Sequence, residues 1–95
     1  MSLYSRGANF ERAVKELFEG MGWPLVIRSA GSHGVADLVA LRRGSRTQLI
    51  SCRIHGKLGP LERESLCEAA KAAGAIPMMA HRPARGRIVI SEVKG

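Results

Sequence analysis

Val35-Ala36-Asp37-Leu38-Val39-Ala40-Leu41 decides the fold, because the chain's only aspartate interrupts an otherwise apolar run. Bounded by Gly34 before and by Arg42-Arg43-Gly44-Ser45-Arg46 after, the run reads as a β-strand closed by a basic turn. Thr47 to His55 reads as the returning strand of a hairpin. Leu25 to Ser29, following Pro24, reads as a strand before it, and the glycine-containing segment Ala30-Gly31-Ser32-His33-Gly34 joins the two. These segments predict a three-stranded meander.

Upstream, Phe10, Val14, Leu17, Phe18 and Met21 fall at i, i+4, i+7, i+8 and i+11. That is one apolar stripe of a helix over 8–21, ended by Gly20 and Gly22. Downstream, Gly59-Pro60 opens a second helix, with proline suited to its first turn, and Gly74 caps it. Glu62, Glu64 and Glu68 read as the exposed face of that helix. Two more apolar strands, 75–81 and 87–93, flank the basic turn His81-Arg82-Pro83-Ala84-Arg85-Gly86-Arg87. The predicted order is αβββαββ, an α/β fold with a mixed central sheet flanked by helices, in a single domain over 1–95. The link from the third strand through the second helix to the fourth suits a right-handed crossover.

The chain carries 15 Lys and Arg against 8 Asp and Glu, a formal charge of +7. Excess positive charge on so small a domain favours a polyanion, because neutralising phosphates releases counterions. Arginine leads lysine, and its planar fork matches phosphate oxygens. No apolar run is long enough to span a bilayer, and the N-terminus shows no hydrophobic signal segment, so the expectation is a cytoplasmic protein without a membrane partner. Cys52 and Cys67 are too few for a disulfide scaffold or a structural zinc site.

A carboxylate inside an apolar strand must be paired, hydrogen-bonded or holding a cation. Alternation sets Asp37 with Val35 and Val39, and on the neighbouring strand sets Ser51, Arg53 and His55 together, with Ile50, Cys52 and Ile54 on the other face. Glu11 flanks the apolar stripe of the first helix and could reach over the sheet. Arg28 ends the first strand. Spacing leaves two readings open: an ion pair of Asp37 with Arg53 or Arg28, or a divalent-metal site built on Asp37 and Glu11, which as hard oxygen ligands suit Mg²⁺.

Three segments, Arg6-Gly7-Ala8-Asn9-Phe10-Glu11-Arg12, Val26-Ile27-Arg28-Ser29-Ala30-Gly31-Ser32 and Val35-Ala36-Asp37-Leu38-Val39-Ala40, together resemble the archaeal and phage-type Holliday junction resolvases. These belong to the restriction-endonuclease-like, PD-(D/E)XK superfamily. The likeness continues through Gly74-Ala75-Ile76-Pro77-Met78-Met79-Ala80 and so covers most of the chain. The resemblance implies a restriction-endonuclease-like fold and a homodimer that resolves four-way DNA junctions by paired symmetric cuts, using Mg²⁺ or Mn²⁺ and no organic cofactor. It implies Glu11, Asp37 and the Cys52 carbonyl as metal ligands. Glu11, Asp37, Ser51 and Arg53 then form the catalytic set, and Arg6, Arg28, Ser29, Ser32, His33, His55 and Lys57 the DNA-facing set. Such a protein would act in recombination and repair, in a cell or on behalf of a phage.

One departure stands out. Ser51-Cys52-Arg53 occupies the place of the family's Glu-X-Lys pattern. Serine is neutral and short. Arginine keeps the positive charge but cannot accept a proton, since its pKa exceeds about 12. The alternative expectation is therefore a junction-binding protein of the same fold with weakened or lost cleavage.

Overall fold

The computed structural model describes residues 3–28, 36–83 and 86–94, with side chains from residue 8 onward. Its elements run α1 (Leu3–Gly20), β1 (Leu25–Arg28), β2 (Leu38–Leu41), β3 (Gln48–Cys52), α2 (Pro60–Ala73), β4 (Ile76–His81) and β5 (Val89–Glu92), which is the expected αβββαββ order. The strands lie in sequence order across one sheet, antiparallel at every pairing except the parallel β3–β4 pair. A parallel pair needs a long crossover, and α2 supplies it.

α1 covers one face of the sheet, and α2 covers the other over β3 and β4. Phe10, Val14 and Phe18, spaced by one helical turn along α1, bury against Val26, Leu38, Ala40, Ile50 and Ala80, with Trp23 closing the end of the cluster. Each fully buried side chain of this size contributes about 1.5–3 kcal/mol. Trp23 meets Phe18 edge-on, with centroids 6.0 Å apart, and Arg42 lies 4.2 Å over the indole. A smaller cluster on the other face joins Leu66 of α2 to Ala36 and Val93, with Leu49 and Met79 packed against it.

α2 starts where Pro60 follows Gly59, and Glu62 in its first turn accepts a 3.1 Å hydrogen bond from the Gly59 amide. It stops at Gly74, whose φ of 67° is the left-handed cap that glycine adopts without a Cβ clash. Among the described residues, no helix is long and apolar enough to cross a membrane.

Several expected boundaries move. The α1 backbone begins at Leu3, ahead of the apolar stripe, and Met21 lies beyond its end and is exposed. β2 begins at Leu38, so Asp37 stands just outside the strand, although its amide still donates to the Ile50 carbonyl at 2.9 Å. β3 ends at Cys52, although the Arg53 amide still donates to the Ala80 carbonyl at 2.9 Å and Ile54 packs with Ile50 and Cys52 in the α1-side cluster, the face alternation gave it. The chain turns there: the Gly56 amide donates to the Arg53 carbonyl at 2.8 Å. Gly56 has a φ of 72°, and a Cβ on it would lie 3.1 Å from the His81 ring, so glycine is required for the turn.

Candidate active site

β1 and β3 end, and β2 begins, at one end of the sheet, and the first described turns of α1 lie over that end. The register pairs Arg28 with Leu38 and Leu38 with Ile50, which brings Arg28, Asp37 and Cys52 to neighbouring strand ends. Arg28 shares the α1 face with Val26 and Leu38, and its Nε donates to Glu11 Oε1 at 2.8 Å. The first carboxylate of the site is thus held by the last residue of β1.

The second carboxylate sits in a tighter setting. Oδ2 of Asp37 accepts the Cys52 amide at 2.7 Å and Nη1 of Arg53 at 3.3 Å. The same Nη1 donates to the Cys52 carbonyl at 3.0 Å. The other arm of the guanidinium, Nη2, donates to Oε2 of Glu62 on α2. Asp37, Arg53 and Glu62 therefore form a chain of two ion pairs across the end of the sheet. Both open readings of Asp37 keep support: the arginine pair exists, and it marks a point where two oxygens converge on positive charge.

The Cys52 thiol feels the charge of both carboxylates. Burial pushes its pKa well above the ordinary thiol range, and the charges of Asp37 and then Glu11 push it further, against the opposing influence of Arg53. Burial opposes the charge of Arg53, but Glu62 and Asp37 outweigh it and raise its pKa. Glu62 is held below the ordinary carboxylate range by the Arg53 hydrogen bond first and the Gly59 amide second.

The acceptors that converge on Arg53 Nη1 at this end of the sheet are oxygens. Among the described residues no group of three or more His, Cys, Asp or Glu side chains gathers to hold a metal ion. Mg²⁺ and Mn²⁺ accept one or two carboxylates with a carbonyl and keep several waters. Asp37 Oδ2 and the Cys52 carbonyl already converge on one cationic nitrogen, and Glu11 lies within electrostatic reach of the intervening residue. These are oxygen donors of the kind a hard divalent cation takes, and Arg53 engages them in this structure.

The other expected residues divide. Ser51 is only 2% exposed, and its register partner is Met79, on the face opposite Cys52. No hydrogen bond ties it to Asp37 or Glu11 among the described residues. His55 and Lys57 are exposed in the segment after β3. Ser29, Ser32, His33 and the side chain of Arg6 lie outside the described residues.

Two residues outside the expected site set stand at this end of the sheet. Glu62 looked like one more solvated helix charge, yet it anchors Arg53. Arg82, from the second basic turn, lies 5.7 Å over the Phe10 ring beside Glu11, and its amide donates to the Ile54 carbonyl at 3.1 Å. Glycine-proline followed by a glutamate at the third helical position was the available sign for Glu62. Arg82 had only its cluster.

Three comparisons bear on this geometry. A family described as archaeal Holliday junction resolvase (Hjc) matches residues 2–94. A protein of Methanocaldococcus jannaschii called crossover junction endodeoxyribonuclease Hjc is 46% identical over 54 residues, covering 57% of this chain and 38% of that relative's length. The structure of Archaeoglobus fulgidus Hjc, described as a Holliday junction resolvase, superposes with a TM-score of 0.79 at 25% identity, over 92% of this chain and 77% of the other. That match bears out the restriction-endonuclease-like fold.

Proposed function

This chain belongs to the archaeal Holliday junction resolvase family, and on that premise we propose that it is an endodeoxyribonuclease that resolves four-way DNA junctions by paired symmetric cuts. The observation that carries the reading is the convergence of Asp37 Oδ2 and the Cys52 carbonyl on the Arg53 guanidinium, with Glu11 held by Arg28 at the same end of the sheet. Asp37, Glu11 and the Cys52 carbonyl would hold Mg²⁺ or Mn²⁺. When bound, the metal would supply Lewis acidity toward the phosphodiester.

The chain's own residues do the rest. Arg28, already on Glu11, and Arg82, braced on Phe10, offer guanidinium forks to phosphate oxygens. Arg53 contributes charge that favours the extra negative charge of a five-coordinate phosphorus, and it transfers no proton. His55 and Lys57 add exposed donors beside it. A homodimer supplies the two sites that paired cuts need, and β1 offers a surface for it. Leu25 and Ile27 are 51% and 47% exposed on the sheet face away from α1, and α2 packs over β3 and β4 instead. Such an enzyme works where branched DNA forms, in the cytoplasm, in recombination or repair.

A specific observation favours a second reading, in which the chain binds junctions and cuts them poorly. Ser51 is buried without charge where the family pattern places glutamate, and Arg53 already neutralises Asp37. Incubating an end-labelled junction with Mg²⁺, Mn²⁺ or EDTA, with linear duplex as competitor, separates the two. Metal-dependent symmetric cuts support the nuclease. A retarded complex without cuts supports the binder, and Ser51→Glu with Arg53→Lys should then create cleavage. Equal affinity for linear duplex and junction would refute both.

A further inference from the structure

We infer that Glu62 is a positioning residue: through Arg53 it holds a guanidinium on the Asp37 and Cys52 oxygens, so that a divalent cation must compete with an internal one. This rests on the reading of those oxygens as a metal locus.

Nη1 of Arg53 is shared between Asp37 Oδ2 at 3.3 Å and the Cys52 carbonyl at 3.0 Å. A Mg²⁺ or Mn²⁺ ion would need the same oxygens at roughly 2.1 Å, so the two cations cannot sit there together. What holds the guanidinium in place is its second arm, on Glu62 Oε2. Glu62 is itself fixed, because its other oxygen accepts the Gly59 amide at the start of α2. A carboxylate there is favoured by the positive end of the helix dipole. The result is a clasp from α2 to the metal locus, with the planar fork of arginine spanning both ends. A lysine at position 53, with one compact ammonium, could not engage both in this bidentate way.

The clasp reverses the sign that simple electrostatics gives. Removing a negative charge near a cation site ordinarily weakens cation binding. Here removing the charge of Glu62 loosens Arg53 and should strengthen it. Glu62→Gln is a clean probe, because glutamine can still accept the Gly59 amide and so keeps the helix start.

The test is Mn²⁺ binding followed by electron paramagnetic resonance on the whole chain, without DNA, with circular dichroism to confirm folding. Arg53→Ala should bind Mn²⁺ about tenfold more tightly than wild type, and Glu62→Gln about threefold more tightly, the scale of partly exposed ion pairs. In the Arg53→Ala background, Glu62→Gln should give no tightening at all, since its effect passes through the arginine. Binding by Glu62→Gln equal to or weaker than wild type would overturn the clasp. So would a tightening that persists without Arg53. Wild-type Mn²⁺ affinity in Asp37→Asn would instead overturn the metal locus itself, which separates the two failures.

Discussion

Asp37 and Arg53 share more than a salt bridge: the carboxylate oxygen that accepts Nη1 of Arg53 at 3.3 Å also accepts the Cys52 amide at 2.7 Å. One oxygen therefore closes the end of β3 and neutralises a partly buried cation. Truncation to alanine would leave both donors without that acceptor. Asp37→Ala should lower stability by about 1–3 kcal/mol. Asp37→Asn, which keeps an acceptor for the amide, should lose less, and paired urea melts of the two variants would check the difference.

Glu62 gives stability a pH signature. Its folded pKa lies below the ordinary value of 4.5, so its contribution is fully present above 4.5 and is lost as pH falls through the depressed folded value. The melting temperatures of wild type and Glu62→Gln should differ at pH 6 and approach each other in more acidic buffer. Thermal melts across that range test it, and a difference that stays constant would contradict the pairing.

Cys52 reports on the carboxylates around it. With its pKa raised by burial, Asp37 and Glu11, little thiolate exists near neutral pH. In a Cys67→Ser background, alkylation at pH 8 should run at least about tenfold slower than for an unhindered cysteine peptide. Glu11→Gln or Asp37→Asn should accelerate it. Mass spectrometry of timed samples gives both rates.

Dimer formation through β1 predicts that Ile27→Glu shifts the chain to a monomer without unfolding it, since this side chain faces solvent in the single chain. Light scattering with matched circular dichroism decides the point. A wild-type monomer at micromolar concentration would count against the homodimer.

Much of this arrangement could be read from the sequence, and its gaps have physical causes. The meander was legible because apolar runs alternate with the turn 42–46, and Asp37 was legible because a carboxylate cannot sit bare in such a run. Strand ends were not. The apolar stretch runs on through Val35 and Ala36, but β2 pairs only from Leu38. Alternation carried His55 along β3, whereas the turn closed by Gly56 takes it off. Glu62 could not have been placed from spacing, because its meeting with Arg53 depends on how residues 53–59 return the chain to α2. Ser51 differs: alternation set it on the face opposite Cys52, and only its burial depends on the packing of the sheet and α2.

The most direct test of the account is cleavage of an end-labelled four-way junction by wild type and Asp37→Asn, in Mn²⁺, with junction binding measured in parallel. Wild type should cut symmetrically, the variant should not cut, and both should retard the junction comparably. Cleavage by Asp37→Asn at the wild-type rate would contradict it, because the chemistry would then not depend on the carboxylate at the end of the sheet.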